Sequence, residues 1–214
     1  MKKTNIIALA VVVLAVFVGG VYLANNSEKP TEVVAVNQLW VAPHSPVMGP
    51  KDAPVTLVEF IDPACEACRA MYPYVKEVMK SYPEDVRLVI RYVDFHTQST
   101  DAIRILEASR QQDKFEETLE ILLAFQPAWA PHGKEGTDIW EFVAKGSLDL
   151  EKARVDAQDP AIDKIIEKDM ADVEAAGVKK TPSFFVNGKP LKLMHPDPLL
   201  EMVKEALQAS KEQD

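Results

Sequence analysis

Two cysteines, Cys65 and Cys68, are the residues of this sequence with the clearest capacity for chemistry. They lie in the stretch DPACEACRAMYP at residues 62–73, and they are the only cysteines among 214 residues. Such a closely spaced pair can be half of a metal site, a structural disulfide, or a redox couple that alternates between dithiol and disulfide.

The rest of the sequence favours the redox couple over the other two possibilities. A structural zinc site takes four ligands, commonly from two paired motifs. A disulfide that closes only two intervening residues constrains little chain, because its entropic effect grows with loop length. We therefore expect no metal and no other cofactor. The histidines are scattered singly, as is typical of solvated loop positions: His44, His96, His132 and His195.

The elements predicted around the pair fit redox chemistry. The segment 54–61, PVTLVEFI, is rich in β-branched and apolar residues, which predicts a buried strand. Residues 65–82 have helical periodicity, and a second strand is predicted over 86–95. Cys65 thus falls where a strand passes into a helix, and the helix dipole there favours a thiolate. Cys68, one turn later on the same side, can resolve a mixed disulfide.

A mostly helical stretch, about 97–177, follows the second strand. Apolar residues recur in it at helical spacing, and one short helix is predicted over 138–145. A longer helix is predicted with Asp159 as its cap, Pro160 in its first turn and Gly177 as its stop.

The end of the sequence predicts a hairpin and a final helix. PSFFVNGKPLKL at 182–193 has the pattern of a hairpin that turns at Asn187-Gly188. Asp197-Pro198 opens the last helix. The order is therefore β-α-β, a helical insertion, and then β-β-α.

Two prolines complete a pattern that identifies a family. Pro73 lies inside the first helix, and Thr181-Pro182 directly precedes a strand. Together with GPKDAPVTLVEFIDPACEACRAMYP and GVKKTPSFFVNGKPL, they make the chain resemble the DsbA-like family of the thioredoxin superfamily over roughly 45–207. The resemblance implies an α/β thioredoxin fold with a helical insertion between the second core strand and the cis-proline strand. It also implies that Pro182 is cis and faces the cysteines, with Thr181 offering its backbone to a substrate strand.

Glu59 is the one charged residue in the strand 54–61. An acid six residues before the first cysteine is a feature of the superfamily, and the resemblance implies that it is buried and moves protons for Cys68. Burial would raise its pKa and suit it to proton transfer at neutral pH. The alternative is an acid on a partly wet edge. Arg91 in the second strand could pair with Glu59, but a solvent-facing arginine is the interpretation that we favour.

Glu66 and Ala67, between the cysteines, are predicted to tune the redox properties of the pair. The best-known oxidants of the family carry Pro-His at these positions. A carboxylate beside Cys65 repels its thiolate by on the order of 1 kcal/mol, and the helix dipole opposes this with similar size. Cys65 is thus expected to be less acidic, and its disulfide less oxidising, than in the strongest oxidants. Cys-Glu-x-Cys also occurs in anchored reductases of cytochrome c maturation.

The N-terminus predicts export from the cytoplasm. Residues 6–24 form a run of 19 residues without a charge, preceded by two lysines. This length favours a membrane anchor with residues 1–5 in the cytoplasm over a cleaved signal peptide, which stays the alternative. Residues 25–45 are predicted to be a spacer, whose apolar end could pack on the body or form a short strand. Residues 46–214 would then be a domain facing the periplasm from the inner membrane.

These observations predict an extracytoplasmic thiol–disulfide oxidoreductase. The net charge of −9 argues against a nucleic-acid partner. The expected partners are cysteine-containing client proteins, a membrane redox partner that resets the pair, and the bilayer through residues 6–24. Donating disulfides is the favoured activity, because the large insertion resembles the oxidant branch. A reductase or isomerase is the alternative, and a copper(I) chaperone is a minor one.

Overall fold

The computed structural model of the protein describes residues 39–212 and contains one mixed sheet of five strands. The strands are β1 (Val47–Met48), β2 (Val55–Ile61), β3 (Val86–Tyr92), β4 (Ser183–Val186) and β5 (Lys189–Pro190). Their order in the sheet is β1-β3-β2-β4-β5. β2 and β3 run parallel, and the other neighbouring pairs run antiparallel.

Helices pack on both faces of this sheet. They are α1 (Glu66–Ser81), α2 (Ser99–Arg110), α3 (Phe115–Trp129), α4 (Ile139–Val143), α5 (Leu150–Asp156), α6 (Ala161–Ala175) and α7 (Pro196–Lys211). The core order β2-α1-β3, then β4-β5-α7, confirms the expected thioredoxin fold, and α2 to α6 are the insertion. The predicted hairpin is also confirmed, because Asn187 and Gly188 have the positive φ angles of 47° and 77° that its two-residue turn requires.

The alternation of side chains along β2 divides the core into two layers. Glu59 shares a face with Leu57, and this face is covered by α1, α7 and helices of the insertion. Phe60 points to the opposite face, where it packs with Trp40 and with Val173 of α6. β2 and β3 are therefore buried on both sides, which explains their nearly continuous apolar sequences.

Three elements differ from expectation in extent or existence. The strand predicted over 86–95 ends at Tyr92, because the chain then turns so that the Phe95 N–H donates to the Asp62 carboxylate at 3.0 Å. β1 and α5 were not predicted, since two and seven residues are too short to show a periodicity. A signal for α5 exists in Asp149, whose side chain caps its first turn.

The ends of the last two long helices lie close to the predicted positions. Pro160, and not Asp159, is the N-cap of α6, although the Asp159 side chain still accepts from the Ala161 N–H at 2.8 Å. Gly177 stops this helix as predicted, with a φ of 67°. The final helix begins at Pro196, one residue before the expected start.

The expectation of a solvent-facing Arg91 is wrong. Arg91 is fully buried, and it lies on the face of the sheet opposite Glu59, because its partner across β2 is Phe60. Its guanidinium binds the carboxylates of Asp169 and Asp172 on α6, at 2.6 Å from the first. Asp169 also accepts from His44 at 2.6 Å. A buried charge requires such partners, so this network joins β3, α6 and the segment before β1.

The segment expected to enter the membrane, residues 6–24, lies outside the described residues, as does the spacer up to residue 38. Within residues 39–212, no helix is both long enough and apolar enough to cross a membrane. The end of the spacer packs on the body: the ring centroid of Trp40 lies 4.4 Å from that of Phe185 and 6.5 Å from that of Phe60.

Removing one partner of the buried Arg91 network should destabilise the fold strongly. Asp169→Ala leaves the Arg91 guanidinium without its main counter-charge, and we expect the free energy of unfolding to fall by about 3–5 kcal/mol. The control is Asp163→Ala, which removes the more exposed ion pair with Arg104 and should cost less than about 1 kcal/mol. Urea denaturation of both variants measures the difference, and equal losses would contradict the structural role of Asp169.

Candidate active site

Cys65 lies at the point where the chain leaves β2 and enters α1, and it is the N-cap residue of that helix. The loop that presents it is held by Asp62, a fully buried carboxylate. Asp62 accepts from the Ala64 N–H at 2.8 Å and from the Ser99 hydroxyl at 2.6 Å. Its backbone carbonyl accepts from the Cys65 N–H at 3.0 Å. The position of the thiol is thus fixed by hydrogen bonds on both sides of the loop.

The surroundings of Cys65 stabilise its thiolate. A hydrogen bond from the Cys68 thiol, together with those from the Thr181 side chain and the Cys68 and Ala67 backbone amides, lowers the pKa of Cys65 from 9.0 to about 5, against the effect of burial. The protonated thiol has an alternative partner, since Cys65 Sγ lies 3.4 Å from the Thr181 carbonyl oxygen. The donors outweigh this acceptor, so the surroundings favour the thiolate of Cys65, the form in which a cysteine is nucleophilic.

Cys68 is the more deeply buried member of the pair. It is fully buried one turn into α1. Burial, the hydrogen bond to Cys65, and the charges of Glu59 and Cys65 raise the pKa of Cys68 well above 9.0. Both cysteines are free thiols in this structure. Their pKa values are therefore displaced in opposite directions, which is the arrangement that a nucleophile and a resolving thiol require.

Glu59 is buried beneath the pair, as the resemblance implied. Its side chain is fully inaccessible to solvent, and neither carboxylate oxygen has a hydrogen-bond partner among residues 39–212. Burial, with a smaller contribution from the Cys65 charge, raises the pKa of Glu59 from 4.5 to about 8. The carboxyl group can therefore both hold and release a proton near neutral pH.

Thr181 and Pro182 border Cys65 from the other side. The Thr181–Pro182 peptide bond is cis, as expected. β4 begins at the next residue and pairs antiparallel with β2, which places Ser183 opposite Phe60. The fold thus brings the Thr181 backbone to the end of β2 from which Cys65 emerges.

The insertion reaches the active-site loop through a buried glutamine that the sequence did not reveal. The Gln126 side chain in α3 donates to the Pro63 carbonyl at 2.9 Å and accepts from Arg69 Nε at 3.3 Å. A polar residue on the buried face of a mostly apolar helix is the signal that could have identified it.

The sequence predicted solvated loop positions for the histidines, and three of the four contact carboxylates. His44 belongs to the Arg91 network. His96 Nδ1 lies 2.7 Å from the Asp62 carboxylate, and His132 Nε2 lies 2.9 Å from the Glu66 carboxylate. Sequence reasoning missed these pairs because each joins residues more than thirty positions apart. In the part of the chain that the structure describes, no cluster of three or more His, Cys, Asp or Glu side chains could hold a metal ion.

The family of the chain follows from comparison with known proteins. The family model described as Thioredoxin matches residues 42–205. The chain belongs to the thioredoxin family.

Solved structures extend this assignment. A thioredoxin-like oxidoreductase from Silicibacter pomeroyi DSS-3 is 29% identical, with a TM-score of 0.68 over 80% of this chain and 97% of that one. Oxidised BdbD from Bacillus subtilis is 25% identical, with a TM-score of 0.67 over 77% and 93%. α-DsbA1 from Wolbachia pipientis, 14% identical with a TM-score of 0.74 over 83% and 98%, shares the fold. The first two similarities indicate a thioredoxin-like oxidoreductase, in agreement with the DsbA-like resemblance, and the third shows the shared fold.

Curated relatives place a similar domain within longer proteins. A Na+/H+ antiporter NhaA from Herminiimonas arsenicoxydans is 31% identical over 146 residues, which are 68% of this chain and 23% of that protein. NhaA 3 from Salinispora tropica is 34% identical over 67% of this chain and 22% of its own length. The chain thus spans about a quarter of the length of the curated relatives it matches.

The two cysteines should differ sharply in reactivity in the reduced protein. Because the pKa of Cys65 is about 5, its alkylation rate should rise with pH with a midpoint near 5. Cys68 should react at least about 100-fold more slowly at pH 7, because it is buried and almost wholly protonated. Mass spectrometry of the protein after timed iodoacetamide treatment measures both rates. Equal rates for the two thiols would contradict the assignment.

Glu59 should weaken the fold in a pH-dependent way. Its folded pKa is raised, so its cost to stability is smallest below pH 4.5 and grows as pH rises to about 8. At pH 7 we expect Glu59→Leu to raise the free energy of unfolding of the oxidised protein by about 1–3 kcal/mol, because an unpaired buried carboxyl is removed. Urea denaturation between pH 4 and pH 8 measures this gain. A gain that does not change with pH would show that Glu59 does not titrate as its burial requires.

Proposed function

We propose that this chain is an extracytoplasmic enzyme that donates the Cys65–Cys68 disulfide to cysteine-containing client proteins. The observation that carries the proposal is the position of Cys65 at the N-cap of α1, beside Cys68 and Thr181, where its surroundings lower its pKa to about 5. A stabilised thiolate makes the reduced pair more stable and its disulfide more oxidising. The corresponding pKa is about 7 in thioredoxin and about 3.5 in DsbA. The value here supports a disulfide donor of intermediate strength.

Donation proceeds through a mixed disulfide. A client thiolate attacks Cys65 Sγ of the oxidised pair, the bond to Cys68 breaks, and Cys68 leaves as a thiolate. A second client thiolate then attacks the client sulfur of the mixed disulfide, and Cys65 leaves as the thiolate that its surroundings stabilise. The client loses two electrons and the pair gains them. One of the client's two protons is taken up by Cys68, and the other passes to solvent.

Glu59 is the proposed source of the proton for Cys68. Cys68 leaves as a buried thiolate with a pKa raised well above 9.0, so it must be protonated at once. The carboxyl group of Glu59 lies on the face of the sheet that α1 covers, and its pKa of about 8 keeps it mostly protonated at neutral pH. A neutral carboxyl beneath a departing thiolate can supply that proton, and it regains one from solvent afterwards.

Thr181 and Pro182 form the proposed docking edge for the client. The Thr181 carbonyl oxygen lies 3.4 Å from Cys65 Sγ, so a client cysteine bonded to Cys65 would lie beside this backbone. An extended client segment could pair with Thr181 by main-chain hydrogen bonds. Such bonds do not depend on the client's side chains, so clients of different sequence could bind in the same way.

The proposed location is outside the cytoplasm, with residues 6–24 as an anchor in the cytoplasmic membrane. The apolar run preceded by two lysines supports this, and an exported compartment permits disulfides to persist. A cleaved signal and a soluble body are the alternative. Donation leaves the pair reduced, so a membrane redox partner that accepts two electrons must reset it.

The direction of electron flow can be tested by equilibrating the purified protein with glutathione buffers. From a Cys65 pKa between those of thioredoxin and DsbA, whose potentials are about −270 and −120 mV, we expect a reduction potential between about −230 and −150 mV. The oxidised protein should also introduce a disulfide into a reduced, unfolded two-cysteine client. A reduction potential below about −250 mV would contradict the donor function and favour a reductase.

The Cys68→Ala variant is the control for the chemistry. Mixed with a client that already contains a disulfide, it should accumulate a mixed disulfide through Cys65, because the Cys65 thiolate breaks the client disulfide and no Cys68 thiol is present to displace the client sulfur. Cys65→Ala should form none. If the wild-type protein only rearranges mismatched client disulfides, the isomerase alternative is supported instead.

A further inference from the structure

The Glu66 carboxylate lies next to the reactive thiol in sequence and has a partner from the insertion. Glu66 is the first residue of α1, and its side chain is 42% exposed. His132, in the loop between α3 and α4, places Nε2 at 2.9 Å from Glu66 Oε2. A residue 66 positions away thus contacts the dipeptide that separates the two cysteines.

The His132 ring is in turn packed against a second histidine. The ring centroids of His96 and His132 are 5.7 Å apart, and His96 Nδ1 lies 2.7 Å from the Asp62 carboxylate. Burial acts to lower the pKa of His96, but the hydrogen bond and charge of Asp62, and then the charges of Cys65 and Glu66, raise it. The two rings therefore connect the loop before Cys65 with the residue after it.

We infer that His132 is a positioning residue that acts through Glu66: it binds the carboxylate and offsets its negative charge beside Cys65. This inference rests on the proposed thiol–disulfide function and extends it to a residue that sets the strength of the disulfide. The insertion then supplies, from a distant loop, the basic group that the Glu66-Ala67 dipeptide lacks.

The physical reason is the short range of the interaction. An unopposed carboxylate next to Cys65 disfavours the thiolate by Coulomb repulsion. An imidazole whose Nε2 lies 2.9 Å from the carboxylate pairs with it and reduces its field at the sulfur. Because Glu66 and His132 are both partly exposed, water and salt screen the effect, and we expect a modest change of the size measured for surface pairs.

A double-mutant cycle on the full-length protein tests the inference. His132→Ala should lower the acid dissociation constant of the Cys65 thiol about two- to fivefold, and Glu66→Gln should raise it by a similar factor. In the Glu66→Gln background, His132→Ala should change it less than about 1.5-fold. The constant is measured from the pH dependence of Cys65 alkylation. The equilibrium constant with glutathione should shift by the same factors.

Two further comparisons separate charge from loop structure. Lys134→Ala removes a positive charge from the same loop, from a residue in no ion pair within residues 39–212, and it should leave the Cys65 constant nearly unchanged. The effect of His132→Ala should also shrink at about 1 M salt.

The outcomes distinguish this inference from the proposed function. An equal effect of His132→Ala with and without Glu66, or one that salt leaves intact, would overturn the role assigned to His132. The wild-type potential and client assay decide the donor function independently, and alkylation of Cys65 remains measurable even if the protein proves to be a reductase.

Discussion

The placement of Cys65 at the N-cap of α1, with Cys68 one turn inside the helix, is the constraint on which the active site depends. The interaction of the two thiols is its main consequence. It contributes most to the lowered pKa of Cys65, and it also raises the pKa of Cys68. This interaction thus favours the Cys65 thiolate and, together with burial, keeps Cys68 protonated. It requires Cys65 at the N-cap of α1 and Cys68 one turn inside the helix. The Asp62 hydrogen bonds and the pairing of β2 with β4 serve to hold that geometry.

Glu59 places a second constraint on the same site. A buried carboxylate and a buried thiolate repel each other, and each raises the cost of ionising the other. The site can hold the Cys65 charge because Glu59 stays mostly protonated at neutral pH. The burial of Glu59 therefore lowers the stability of the fold and also raises the pKa that suits Glu59 to its proposed role as a proton donor. On the other face of the sheet, the buried Arg91 charge is paired with two carboxylates of α6.

Sequence reasoning succeeded where the determinants are local and failed where they are not. The strand-to-helix position of Cys65, the turn at Asn187-Gly188 and the stop at Gly177 each depend on a few consecutive residues, and each was predicted. The burial of Arg91 depends on strand register and on its contact with Asp169. Asp169 lies on the buried side of α6, 78 positions after Arg91 in the sequence. The histidines that contact Asp62 and Glu66 likewise come from distant parts of the sequence. The periodicity of apolar residues cannot predict such pairings, because they depend on how the insertion packs on the thioredoxin core.

The same distinction limits what the Cys-Glu-Ala-Cys motif says about redox strength. Read alone, Glu66 predicts a weakened oxidant, because its charge lies beside Cys65. In the folded protein the motif is one part of an electrostatic environment that includes Asp62, His96 and His132. The thiolate responds to the sum of these charges and of the amide dipoles of α1. Two family members with identical dipeptides can therefore differ in potential if their insertions present different side chains to residue 66. The insertion is in this sense part of the active site, although it contributes no reacting atom.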